Sequence, residues 1–166
     1  QPVYSCFSSM KALEAAVADK AVDYVAVNYL ARTETVDNHF LGIGLGYIRL
    51  AREEKHLFDL LYLSGRVSLD FENDVFPVSR ERLLAVMRRD NYLAPLPDQT
   101  LLILLRHMWI YTHGLTTLAR SNPDISDAFI KECLDEMGKT MILQTLQNKG
   151  EYQHETGCTE RQSQSR

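Results

Sequence analysis

Apolar and polar positions alternate along this chain with a helical period almost from end to end. Leu13, Ala16, Val17, Val22 (or Ala21), Tyr24, Val25, Asn28 and Tyr29 recur near about 3.6 residues, predicting a helix to about Arg32 that Ser8 or Ser9 can cap. A second helix is expected from about Thr35 to Glu54, with Val36, Phe40, Ile43, Tyr47, Ile48 and Leu50 on its apolar face. His56 to Leu63 reads as a shorter third. Gly, Asn, Asp and Pro between Arg66 and Val78 mark a connection. Ser79 opens a fourth helix, Arg80 to about Asp90, with Leu83, Leu84, Val86 and Met87 inward.

Pro97 fits the first position of a long fifth helix, where its missing N–H costs nothing. Within that helix Leu101 to Leu118 is apolar nearly all the way round, so it needs cover on every side. A chain of this length has one core to offer, and a second copy of the chain is the natural extra cover. Asn122-Pro123 breaks the helix. A last helix, from about Ile125 to Asn148, carries Phe129, Ile130, Cys133, Leu134, Met137, Met141, Ile142 and Leu146, more apolar positions than one core-facing stripe requires. The helices Pro97–Arg120 and Ile125–Asn148 are therefore expected to form a two-fold homodimer interface. Gly150 is expected to end the last helix and to leave residues 150–166 as a polar disordered tail. No alternating strand pattern of useful length occurs. The expected fold class is all-α.

Composition narrows the function classes. With 45% hydrophobic and 24% charged residues the chain can bury a core. A net charge of -4 and a pI near 5.7 argue against nucleic-acid binding by bulk electrostatics in the residues at hand. Arg106 and His107 interrupt the longest apolar run, which leaves no transmembrane span and no secretory signal. Cys6, Cys133 and Cys158 stand at unrelated spacings, so neither a disulfide framework nor a zinc site is indicated, and reduced thiols in a cytoplasmic protein are expected. Residue 1 is Gln and the opening Gln-Pro-Val-Tyr is abrupt, which implies further chain upstream.

Gly42, Gly44 and Gly46 resemble a phosphate loop only superficially, because no strand precedes them. Close helix approach across Gly42 and Gly46 is the better reading. Glu53 and His56 have the i, i+3 spacing of di-metal bundles, but the second pair such sites need is not visible. The charged residues Arg49, Arg52, Glu53, Glu54, Lys55, Arg80, Glu81, Arg82, Arg88, Arg89 and Asp90 read as solvated helix faces. Gly114, in mid-helix, implies a neighbouring helix too close for a side chain. Trp109 and His113 share one helix face. They are either a buried aromatic above a buried imidazole or the wall of a small-molecule pocket with one titratable polar group. On the pocket reading, the cavity lies within residues 35–120, walled by Tyr47, Phe58, Met87, Trp109 and His113 from four apolar helix faces. His113 would supply the single polar contact, making binding pH-dependent near its ordinary pKa of about 6.5.

Three pieces of the sequence, in order, resemble the TetR family of bacterial transcriptional regulators. Gln1-Pro2-Val3-Tyr4-Ser5-Cys6-Phe7, followed by Met10 and Leu13, is similar to the end of the family's recognition helix and the start of its fourth helix. Trp109-x-x-x-His113-Gly114-Leu115 resembles the WHG-type ligand-binding domain of one branch. Gly46-Tyr47-Ile48-Arg49-Leu50-Ala51-Arg52-Glu53-Glu54-Lys55-His56-Leu57-Phe58 resembles that domain's second helix and the turn into its third. Family members often carry an aromatic or His where Ser5 and Cys6 stand, and a phosphate-contacting Lys where Met10 stands. Lys11 is adjacent to that position, about 100° round the helix.

The resemblance implies a TetR-like bundle with a remnant of a helix-turn-helix head in residues 1–33, whose first two helices are missing, and a ligand-binding and dimerisation domain in 34–149. It implies DNA contacts at Gln1, Tyr4 and Lys11, with Phe7 in the core of the head. It further implies a homodimeric, cytoplasmic repressor that binds operator DNA as the full-length protein, takes a small apolar effector, needs no cofactor, and is neither an enzyme nor membrane-bound. Without the scaffold that aims the recognition helix, these residues alone should not bind DNA specifically. Two rival readings are a helical-bundle enzyme with a metal or redox cofactor, and a helical adaptor acting through protein contacts alone.

Overall fold

The computed structural model describes residues 6–31, 38–65 and 76–162, with 148–162 as backbone only. Six helices follow one another and no strand occurs among the described residues: α1 (Met10–Val25), α2 (His39–Glu53), α3 (Lys55–Phe58), α4 (Arg80–Met87), α5 (Asp98–Ser121) and α6 (Asp127–Gln162). The all-α expectation holds. Two of the helices end in π-helical turns, α1 through Ala26–Leu30 and α3 through Asp59–Leu63. The predicted boundary at residues 33/34 falls outside the described residues, as do Gln1 and Tyr4.

The helix starts follow from side-chain caps. Ser9 Oγ accepts from the Ala12 N–H at 3.1 Å, and Asn38 Oδ1 accepts from the Leu41 N–H at 2.9 Å. The expected helix from Thr35 to Glu54 thus has its described start at Asn38. Glu54 leaves helical geometry (φ -119°, ψ 59°), so Glu53 and His56 lie on separate helices and share no continuous face. Among the described residues no group of three or more His, Cys, Asp or Glu side chains converges to hold a metal.

The core gathers Val25, Leu50, Phe58, Met87, Leu101 and Leu104 around α2 and α5, which pack extensively on each other. Each such side chain contributes on the order of 1.5–3 kcal/mol by leaving water. Gly46 is the close-approach glycine: a β-carbon there would meet the Tyr29 carbonyl oxygen at 2.0 Å. Gly44 faces the other way, toward Leu134 and Thr112.

Several expectations are corrected. Pro97 is the residue that caps α5, in extended geometry, rather than its first helical residue. α4 ends at Met87 rather than Asp90, and Asp90 is no surface charge but only 3% exposed. It turns inward because both carboxylate oxygens accept backbone N–H groups at the start of α2, Oδ1 from His39 and Oδ2 from Phe40, each at 2.8 Å. Gly114 has open space around it rather than a helix of its own chain. The last helix continues past Gly150 to Gln162. An internal glycine such as Gly150 or Gly157 costs about 1 kcal/mol, which does not by itself stop a helix that good formers such as Glu151, Gln153 and Glu155 continue. Among the described residues no helix is long and apolar enough to cross a membrane.

Candidate functional site

α5 sets Trp109 and His113 one turn apart, and their rings stack with centroids 4.9 Å apart at 16°. Across from them α2 presents Tyr47, whose hydroxyl is hydrogen-bonded to His113 Nδ1 at 2.9 Å. Tyr47 lies edge-on to Tyr62 (4.8 Å), Phe58 (5.2 Å) and Trp109 (5.9 Å). Phe58 in turn lies parallel to His113 at 6.1 Å and carries the Arg120 guanidinium over its face at 5.1 Å. Arg120 also donates to Asp59, and this bond holds the Asp59 carboxyl below its ordinary range.

Burial pushes the Tyr47 and Tyr62 phenols far up and pulls the His113 imidazole down, so all three are neutral near pH 7. The cluster is therefore an uncharged aromatic wall with one internal polar bond. No pair of inward carboxylates belongs to it among the described residues.

Against this wall lies a narrow, mostly apolar cavity that opens to solvent. α2 contributes Phe40, Leu41, Ile43, Gly44 and Tyr47; α5 contributes Leu105, Met108, Trp109 and Thr112. Tyr62, the segment Phe76–Val78 and Leu83 close one side, and Leu30 at the end of α1 reaches another. α6 completes it with Leu134, Asp135, Gly138 and Ile142. Gly138 is buried, and a β-carbon there would meet nothing within 4 Å, so the missing side chain is part of what leaves the space open.

Of the five residues expected to wall a pocket, Tyr47 and Trp109 line this cavity. Phe58 and His113 stand behind Tyr47 and Trp109 as support rather than at the cavity surface. The expected polar contact from His113 is thus replaced by its internal bond to Tyr47, which uses Nδ1. Met87 is fully buried in the core and does not line the cavity, because the inward face of α4 reaches it through Leu83. The α6 residues, Asp135 and Gly138 above all, escaped the sequence reading. It confined the pocket to residues 35–120 and assigned α6 to dimerisation. A glycine at 138, inside an otherwise strong helical pattern, was the available signal.

Lys11 is exposed on the first turn of α1, whose N-terminus is capped by Ser9. Phe7 is half-buried. No family model matches the chain, and comparison with curated proteins and with solved structures likewise finds no match.

Proposed function

We propose that this chain is the effector-binding and dimerising core of a TetR-like transcriptional regulator, a DNA-binding repressor rather than an enzyme. The observation that carries the reading is the cavity walled by Tyr47 and Trp109, with His113 locked behind them, at the site the WHG-type resemblance implies. A concave, mostly apolar space with few polar groups suits a small apolar effector.

The path from effector to DNA runs through α1. Leu30, in the π-helical end of that helix, lines the cavity, while the other end of α1 leads to residues 1–5, where the resemblance places the DNA contacts Gln1 and Tyr4. π-helical turns often mark functional segments. An effector that fits one position of Leu30 better than another shifts the spacing of the two DNA-reading heads, and only that difference in affinity is required.

The second support is the outer face of α5 and α6. On α5, Ile103, His107, Ile110, Gly114 and Leu118 follow helical spacing and all are exposed; on α6 Phe129, Leu143 and Leu146 are exposed. A second copy seated there would cover the face and account for Gly114, where a partner helix could approach closely. An obligate interface of this type buries on the order of 2,000 Å² or more in total.

The test uses protein carrying the complete DNA-reading head. A compound that binds in the cavity should weaken operator affinity, and unchanged affinity with the compound bound contradicts the reading. Tyr4→Ala should lower affinity about equally across DNA sequences, as loss of a phosphate contact does.

A further inference from the structure

We infer that the effector is a hydrophobic cation, such as an alkylammonium, held by the Asp135 carboxylate in the cavity that Tyr47, Tyr62 and Trp109 help to line. This rests on the reading of the cavity as an effector site and adds the charge of the ligand to it.

Among the described residues lining the cavity, Asp135 is the only Asp, Glu, Lys, Arg or His. A carboxylate or phosphate inside would be desolvated with no counter-charge among the described lining residues, while an ammonium would find one. Burial keeps His113 neutral, so the imidazole behind the wall does not supply the missing positive charge.

The other feature that could receive an anion is the N-terminus of α2, which borders the cavity at Asn38, Phe40 and Leu41. It is already filled. Asp90 takes the N–H groups of His39 and Phe40, and Asn38 takes that of Leu41. An incoming anion would meet the Asp90 carboxylate instead of free donors.

Asp135 has a present partner in Lys139, one turn further along α6, at 2.5 Å. The Lys139 side chain is 68% exposed, and exposed pairs of this spacing are weakly held. A cation arriving from the cavity side can take the carboxylate while Lys139 returns to water.

The chain has a single tryptophan, Trp109, and it lines the cavity, so its fluorescence reports occupancy. Three probes of one chain length, decyltrimethylammonium, decanol and decanoate, are titrated below their micelle concentrations. The cation should bind tightest, with decanoate about tenfold weaker or more, a difference on the scale of one charge interaction. Asp135→Asn should bring cation affinity down to that of decanol and leave decanol unchanged; Lys139→Gln should strengthen the cation. Filling the cavity with Gly138→Leu should abolish all three signals. Decanoate binding as tightly as the cation, or Asp135→Asn without effect, overturns the cation inference and leaves the effector cavity standing. No response to any probe, or responses that survive Gly138→Leu, overturns both.

Discussion

Gly46 lies directly beneath Tyr29: a β-carbon at 46 would stand 2.0 Å from the Tyr29 carbonyl oxygen and 2.8 Å from its carbonyl carbon. The π-helical end of α1 therefore rests on bare backbone of α2, and this seat holds Leu30 at the cavity. The obstructing atoms are main chain, so no rotamer change relieves them. Gly46→Ala is expected to destabilise the fold by about 3 kcal/mol, the upper end of ordinary overpacking costs. Urea unfolding measures it, and a change below about 0.5 kcal/mol, typical of a neutral surface substitution, would refute the contact.

Asp90 makes a second long-range tie, from the turn after α4 to the first turn of α2. Removing the carboxylate leaves the His39 and Phe40 N–H groups without their acceptor in a largely dry site. Asp90→Ala should cost about 2–4 kcal/mol, the sum for two such groups. Asp90→Asn, which keeps one acceptor oxygen, should cost less. Equal losses for the two variants would show that the carboxylate acts by packing and not as a cap.

His113 gives a pH dependence of known sign. Its folded pKa is depressed by burial, so below the ordinary value of about 6.5 the unfolded chain binds a proton that the folded chain resists. Stability contributed by the neutral ring is intact above that value and is lost as pH falls from it toward the folded pKa. The melting temperature of the wild type should therefore drop between about pH 7 and pH 5 more than that of His113→Gln. Parallel curves for the two proteins would contradict the assignment.

Ile110 and Leu118, 54% and 57% exposed on α5, flank Gly114 on the face assigned to a second copy. Charges placed there cannot be buried without a partner charge. Ile110→Glu with Leu118→Glu should give a folded monomer in light scattering at micromolar concentration, against a wild-type dimer. A monomeric wild type would sink the dimer.

The longer helices were legible because their apolar residues recur near the helical period, and Ser9 and Ser79 mark two of the starts. The meeting of Tyr47 with Trp109 and His113 was also within reach, since all three sit on apolar faces of long helices. Other features depend on tertiary partners that no local pattern encodes. Asp90 looked like one more surface charge because its partners are some fifty residues earlier in the chain. Met87 looked like a pocket residue because an inward apolar side chain reads the same whether it meets a void or a neighbour. Asp135 was hidden by its own i, i+4 pairing with Lys139, which is the usual sign of a solvated face.

The central claim, that the cavity beside Trp109 is an effector site, is tested most directly by Gly138. That residue lines the cavity, is buried, and has open space where a side chain would go. Gly138→Leu should fill the void and, by removing a helical glycine, leave the fold as stable or about 1 kcal/mol more stable. The melting temperatures of the wild type and of Gly138→Leu are measured against one panel of small apolar molecules. Compounds that bind the wild type at about a hundredfold above Kd should raise its melting temperature by about 5–10 °C and leave Gly138→Leu unmoved. A panel that moves neither protein, or moves both equally, contradicts the account.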